Sequence, residues 1–305
     1  MNFFTNMLNL QLTLFILIII GIFLKKKNYI GEEGKKMLSD LLINLILPCN
    51  IIYSFCSKIE IASNFVSNCI LAIILSSCIQ LTATFLSKWV FRNYPKTQKN
   101  VMSYGLICSN SSFIGLPVAE CLYGSLGVLY TSIFQIPIRF TMWTAGLSLF
   151  TTVDKKDAFK KLLKHPCIIS IFIGFLLMIL PISLPQFVSN TISTLSKCTV
   201  PISMFVIGAT LADANIKTLF SRAVLYYTVL RLIAFPVAVF IILRMFNLDP
   251  LLIGISVIMT GMPAGSTTAI LAEKYGCDAE FASQIIFVST LLSIFTIPLL
   301  SLLIK

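Results

Sequence analysis

Acidic side chains are scarce in this sequence: 12 Asp and Glu stand against 23 Lys and Arg among 305 residues, with a single histidine. Charged residues of both signs make up 11%, where a soluble globular chain carries roughly a quarter. So few charges cannot cover a soluble fold of this length, which excludes an ordinary cytosolic enzyme. One histidine leaves no Cys/His or Ser/His/Asp constellation, and neither a D-D-x-x-D cluster nor a G-x-S-x-G elbow occurs, so intramembrane catalysis is a poor fit. The nine cysteines are scattered, odd in number and never spaced C-x-x-C. That pattern supports neither a disulfide framework nor a zinc site, and small buried apolar groups are expected instead.

What the chain has is apolar surface, with 57% hydrophobic residues and a mean hydropathy of +0.93. A bilayer core takes about 20 apolar residues per helix. Runs between charge clusters give ten candidate spans, at about 7–24, 37–56, 64–87, 101–123, 126–150, 166–184, 187–211, 220–246, 250–273 and 280–304. The first has no basic region before it, Lys25, Lys26 and Lys27 after it, and no A-x-A site, so it reads as a spanning helix and not a signal peptide.

The net charge of +11 falls in short bunches between these runs and not along one polar face, which argues for topology signals and against nucleic acid. Alternate connections hold 17 of the 23 basic residues; the opposite set holds Lys58, Lys197, Arg244 and Lys305, and Arg139 and Arg231 lie inside spans. Enrichment of Lys and Arg in cytoplasmic loops then places both termini outside the cytoplasm. A miscount by one helix would scramble this alternation.

Splitting after the fifth span gives 1–150 and 151–305, and an odd number of spans per half forces the second half to insert upside down. Pro48 and Pro117 of the second and fourth spans lie 69 residues apart, and Pro201 and Pro263 of the seventh and ninth lie 62 apart. The tails AECLYG and AEKYG echo one another more weakly. Ser109–Pro117 and Thr260–Thr268 concentrate Gly, Pro, Ser, Thr and Asn where an unbroken apolar run would be cheapest. Unwound backbone at that depth is tolerated only against protein or a water-filled cavity, and paired interruptions in two inverted halves point to a transporter's binding site. Proline kinks serving only packing are the plainer reading. Half-helix N-termini meeting near the midplane favour an anion, whereas carbonyls at the facing ends could hold a cation.

Arg139 and Arg231 sit near the centres of the fifth and eighth spans, where an unpaired charge is costly. Each is read either as charge compensation for an anionic substrate or a stand-in for a coupling ion, or as a donor to carbonyls freed at the breaks. Gln135 and Pro137 near Arg139 favour its functional role. No Asp or Glu occupies the central part of any span; Glu120, Glu273 and Asp213 read as helix-end charges, and His165 as a plain loop residue.

Over nearly the whole chain the sequence resembles the auxin efflux carrier family, which includes prokaryotic proteins described as malate or other organic-anion permeases. The resemblance rests on NLILP in the second span, NSSFIGLP in the fourth, HPCII before the sixth, PISMFVIGATLA in the seventh and MPAGSTTAILAEKYG in the ninth. It implies an all-α integral membrane protein of ten transmembrane helices in two inverted five-helix repeats, similar to sodium/proton antiporters, with broken crossing helices four and nine. Helices 1, 2, 6 and 7 would form a dimerising scaffold and the others a moving, elevator-like transport domain. By position Asn110 matches the family's asparagine ahead of the crossover, and Pro117 and Pro263 match its prolines; Thr267 stands where the family often has an asparagine and Ala264 where it commonly has a second proline.

The expected function is secondary active transport of a small organic anion, such as a carboxylate, across the plasma membrane. Its midplane site would comprise Asn110, Ser111, Ser112, Pro117, Pro263, Ser266 and Thr267, with Arg139 or Arg231 supplying positive potential. No cofactor, metal or nucleic acid is expected beyond a coupling ion, proton or sodium, and the expected partners are the anion, membrane lipid and a second copy of the chain. A sodium-coupled or cation-handling carrier of the same fold is the alternative, ahead of a channel or receptor.

Overall fold

The structure, a computed structural model, describes residues 2–56, 65–151, 156, 159–160, 163–180, 184–212 and 221–304. The topology charges Lys58, Lys155, Lys161, Lys217 and Lys305, and Asp213, lie outside the described residues. Apolar runs fold as helices because lipid offers the backbone no partner, so each amide must bond within its own segment, and several of the helices carry charges at or near their ends. In chain order these are α1 (Asn2–Lys26), α2 (Glu32–Leu41), α3 (Leu47–Cys56), α4 (Phe65–Val90), α5 (Lys96–Ile107), α6 (Leu116–Thr141) and α7 (Pro166–Ile179). They continue as α8 (Gln186–Lys197), α9 (Thr199–Leu211), α10 (Arg222–Val229), α11 (Phe235–Arg244), α12 (Pro250–Thr260), α13 (Thr267–Lys274) and α14 (Ala279–Leu303). Among the described residues the only extended pairing is one antiparallel bridge, Ser109 to Ala264.

Wide, π-type turns join several of these helices at Leu42–Ile46, Ser111–Gly115, Met142–Gly146 and Leu230–Ala234. The first, second and fourth each end two residues before a proline, at Pro48, Pro117 and Pro236. Proline lacks an N–H and its ring clashes with the carbonyl four residues back, here Asn44, Phe113 and Leu232. An extra residue in the preceding turn relieves that clash without ending the helix.

Among the described residues, seven helical segments are long and apolar enough to cross a membrane: 8–26, 32–56, 65–90, 111–149, 186–211, 222–244 and 279–303. Pro166–Ile179 and Pro250–Thr260 are shorter apolar helices. The 39-residue stretch 111–149 is too long for one crossing. It is divided at Gly124, whose φ of 61° and ψ of −147° leave the helical region. Residues eight apart on a straight helix lie about 12 Å from each other, yet a Cβ on Gly127 would fall 2.1 Å from the Ala119 carbonyl oxygen. The chain therefore doubles back between the expected fourth and fifth spans, and only a residue free to take positive φ makes so abrupt a turn.

Large apolar side chains such as Ile16, Phe23, Ile70, Phe85, Phe172, Ile241 and Phe295 are exposed around the outside. A soluble surface does not carry so many. The helices sort into two packed groups: α1 runs along α9 and α3 packs on α7 and α8, while α4 packs on α5 and α6, α12 on α6 and α11, and α14 on α10 and α13. α1 also touches α14, and α3 touches α6.

The α1–α9 crossing is close because both helices present glycine: a Cβ on Gly208 would lie 2.3 Å from the Ile18 carbonyl oxygen and 2.8 Å from Gly21 Cα. Close backbone approach through small residues is a general way for membrane helices to associate. Gly208→Leu is expected to lower the unfolding midpoint of the detergent-purified protein, by at least the ~1–3 kcal/mol typical of overpacking. An unchanged midpoint would mean that the two helices are not held at this distance.

Candidate functional site

The two helix interruptions meet. α5 ends at Ile107 and α12 at Thr260, and the extended residues that follow run antiparallel across one another at Ser109 and Ala264. Asn110 N donates to Pro263 O at 2.8 Å, and Gly265 N donates to Cys108 O at 3.2 Å. Side chains take the groups left over: Ser109 Oγ donates to Met259 O at 3.3 Å, and Ser289 Oγ accepts from Ala264 N at 3.2 Å. The guanidinium of Arg231 donates to Leu106 O at 2.7 Å and to Met262 O at 2.8 Å. Buried backbone groups must find partners somewhere, and these bonds explain why unwound chain is stable here.

Beyond the crossing the chain resumes helical form in the turn Ser111–Gly115 and in α13, so the first N–H groups of both resumed segments have no acceptor within their own helix. They adjoin a cavity of about 700 Å³, lined by residues that include Asn44, Ser109, Asn110, Ser112, Trp143, Gly265, Ser266 and Thr267. Its charged lining residues are Asp40, Arg139, Lys160 and Lys164, three cations against one carboxylate. Its size is that of an ordinary small-molecule site. Asn110 is buried, and its side-chain amide has no hydrogen-bond partner among the described residues. The Thr267 hydroxyl accepts from Tyr104 Oη at 3.2 Å.

Arg139 is fixed at the cavity wall by neutral neighbours. Its Nη2 donates to Ser112 Oγ at 3.2 Å and to Gln135 Oε1 at 3.1 Å, while Nη1 lies 3.0 Å from His165 Nε2. Gln135 is held in turn by Ser112 Oγ, which donates to its Oε1 at 2.8 Å, and by its own Nε2, which donates to Ser111 O at 3.2 Å. No carboxylate contacts this guanidinium among the described residues, so its charge is oriented but not neutralised. Such an arrangement binds an anion strongly in a partly desolvated site.

Of the expected site residues, Asn110, Ser112, Arg139, Ser266 and Thr267 line the cavity, and Ser111, Pro117, Pro263 and Arg231 do not. Ser111 contributes its carbonyl to Gln135, Pro263 its carbonyl to Asn110, and Pro117 is buried behind the wide turn. Arg231 is 2% exposed and serves the crossing itself. His165, expected to be a plain loop residue, instead caps α7 by accepting from Cys167 N and reaches Arg139. Asp40, Asn44, Lys160 and Lys164 join the cavity from connections and helices far away in sequence. Neither motif nor periodicity signals that meeting.

These features define a membrane protein with a positively charged cavity at the crossing of two broken helices. A family model described as membrane transport protein matches residues 7–301, and the chain belongs to this auxin efflux carrier-like family. It is 22% identical to an "Uncharacterized transporter" of Methanocaldococcus jannaschii, over 96% of this chain and 97% of that one. It is 25% identical to one of Methanothermobacter thermautotrophicus, over 95% and 96%. A "Putative malonate transporter" of Rhizobium meliloti is 22% identical, over 87% and 85%.

His165 lies in the connection ahead of α7. Donors stand at both ring nitrogens, Cys167 N 3.3 Å from Nδ1 and Arg139 Nη1 3.0 Å from Nε2, and a neutral imidazole, with one acceptor nitrogen, satisfies one of them in each tautomer. Burial, and then the Arg139 charge, push its pKa from 6.5 down to about 3. A histidine with a folded-state pKa below its unfolded value costs nothing while both states are neutral, and destabilises the fold as pH falls from the unfolded value towards the folded one. The unfolding midpoint should therefore fall between about pH 7 and about pH 5, and His165→Gln should flatten that slope. An unchanged slope would show that the imidazole does not sit against Arg139.

Proposed function

We propose that this chain is a secondary carrier of small organic anions, with carboxylates as the substrate class and the cavity at the helix crossing as the binding site. The observation that carries this reading is the oriented, uncompensated guanidinium of Arg139 beside the N-terminal ends of two resumed half-helices. In this reading a carboxylate takes bonds from Arg139 and from the unpartnered Asn110 amide. The hydroxyls of Ser112, Ser266 and Thr267 complete its surroundings, and Lys160 and Lys164 raise the local anion concentration. A dicarboxylate has a second group for that basic mouth, in line with the name of the Rhizobium relative.

The architecture of the proposal is ten spans in two inverted halves, 1–150 and 151–305, in the plasma membrane with both termini outside the cytoplasm. The α1, α3, α7, α8 and α9 group would be the scaffold, and the group built around α4, α5, α6 and α10 to α14 the moving body that carries the crossing. Lysine-rich connections flank the cavity mouth, so the cavity would open to the cytoplasm. Alternating access then requires the moving group to slide against the scaffold, and the Arg139–His165 contact is one that must break.

Reconstitution into liposomes tests this. Malonate uptake should saturate and show counterflow, which distinguishes a carrier from a channel. Arg139→Gln should reduce uptake by at least about tenfold, the effect of losing one charge-assisted hydrogen bond, with little change in unfolding midpoint. Saturable malonate uptake that survives Arg139→Gln unchanged would remove Arg139 from the site.

A further inference from the structure

Breaking two helices at one depth creates two kinds of end. The N-terminal ends border the cavity, and the C-terminal ends of α5 and α12 present carbonyl oxygens and the negative poles of two helix dipoles. An alkali cation satisfies such a pole in some carriers, usually with help from carboxylates. Here the central part of every span lacks Asp and Glu. Arg231 reaches the pole instead, from the wide turn Leu230–Ala234. Nη1 donates to Leu106 O from the last turn of α5 and Nε to Met262 O two residues beyond α12, so one planar group ties both ends together. It is 2% exposed and does not line the cavity. Neutral donors hold the neighbouring carbonyls of Cys108, Met259 and Pro263.

We infer that Arg231 is a built-in cation. Its guanidinium fills the seat between the C-terminal half-helix ends that a metal cation would otherwise take, so the crossing is complete, and anion passage proceeds, without sodium. A guanidinium is always charged and cannot leave, which makes the positive pole a permanent property of the fold and not a ligand-dependent one. Arg231 is in this sense a positioning residue: it holds the crossing in the shape that presents Asn110 and the two N-terminal ends to the cavity. Only the uptake arm of the test rests on the anion-carrier reading.

The test compares the purified protein in sodium chloride and in choline chloride at equal ionic strength. Wild type should unfold at the same midpoint in both salts, and its initial rate of malonate uptake should be the same. Arg231→Ala should lower the midpoint and acquire a partial recovery in sodium or in dilute methylguanidinium, a cation response that a space-filling role would not produce. If Arg231→Ala does not accumulate as folded protein, the wild-type comparison decides alone. A sodium-specific rise in the wild-type midpoint, uptake that stops in choline, or a folded Arg231→Ala indifferent to both cations would overturn the inference. Equal midpoints with no malonate uptake in either salt would count against the anion-carrier reading and support the built-in cation, because the unfolding comparison needs no substrate.

Discussion

A chain that unwinds two helices inside a bilayer exposes amides and carbonyls to a medium that offers them no partners, at a cost of several kcal/mol for each group left unpaired. The two breaks in this protein are stable because each supplies partners for the other. Backbone bonds between Asn110 and Pro263 and between Gly265 and Cys108 pair the segments directly. The Ser109 and Ser289 hydroxyls and the Arg231 guanidinium collect what remains. Neither break could exist alone, so the position of one helix fixes the position of the other and, with it, the shape of the cavity.

That mutual dependence separates Arg139 and Arg231 by role. Arg231 is enclosed and spends its donors on the backbone, so its charge balances the C-terminal poles and is not offered to a ligand. Arg139 is bound by a serine hydroxyl, an amide oxygen and an imidazole nitrogen, and faces open space. Such partners orient a guanidinium without cancelling its field, and a carboxylate can exchange for them. Charge, depth and the cost of burial are the same for both residues in sequence; only their partners tell them apart.

Those partners explain what could be read in advance. The apolar runs, the bunching of lysines and the polar, glycine-rich stretches around Asn110 and Pro263 are local features, and they located helices and breaks to within a few residues. The doubling back at Gly124 was legible only as a gap between two expected spans, because a single glycine carries it. The family motifs were legible too, and they led to Pro117 and Pro263 as a symmetrical pair. The pair is not symmetrical in space: Pro263 lies in the crossing itself, while Pro117 sits seven residues past Asn110, within the resumed helix. Arg139 meeting His165, and Lys160, Lys164 and Asp40 sharing one mouth, depend on packing between distant segments, which leaves no period or spacing in the chain.

The wide turns add a link between proline placement and the site. Pro48, Pro117 and Pro236 each force an extra residue into the turn before them, and an extra residue rotates every later side chain on that helix relative to the earlier ones. The turn before Pro48 carries Ile43 and Asn44, that before Pro117 carries Ser112 and Phe113, and that before Pro236 carries Arg231. The first two pairs line the cavity and the last residue holds the crossing. A fourth wide turn, which no proline follows so closely, places Met142 and Trp143 on the same wall. These turns therefore set which side chains of their helices face the cavity. Three of the four wide turns line the cavity, and proline spacing accounts for two of those three.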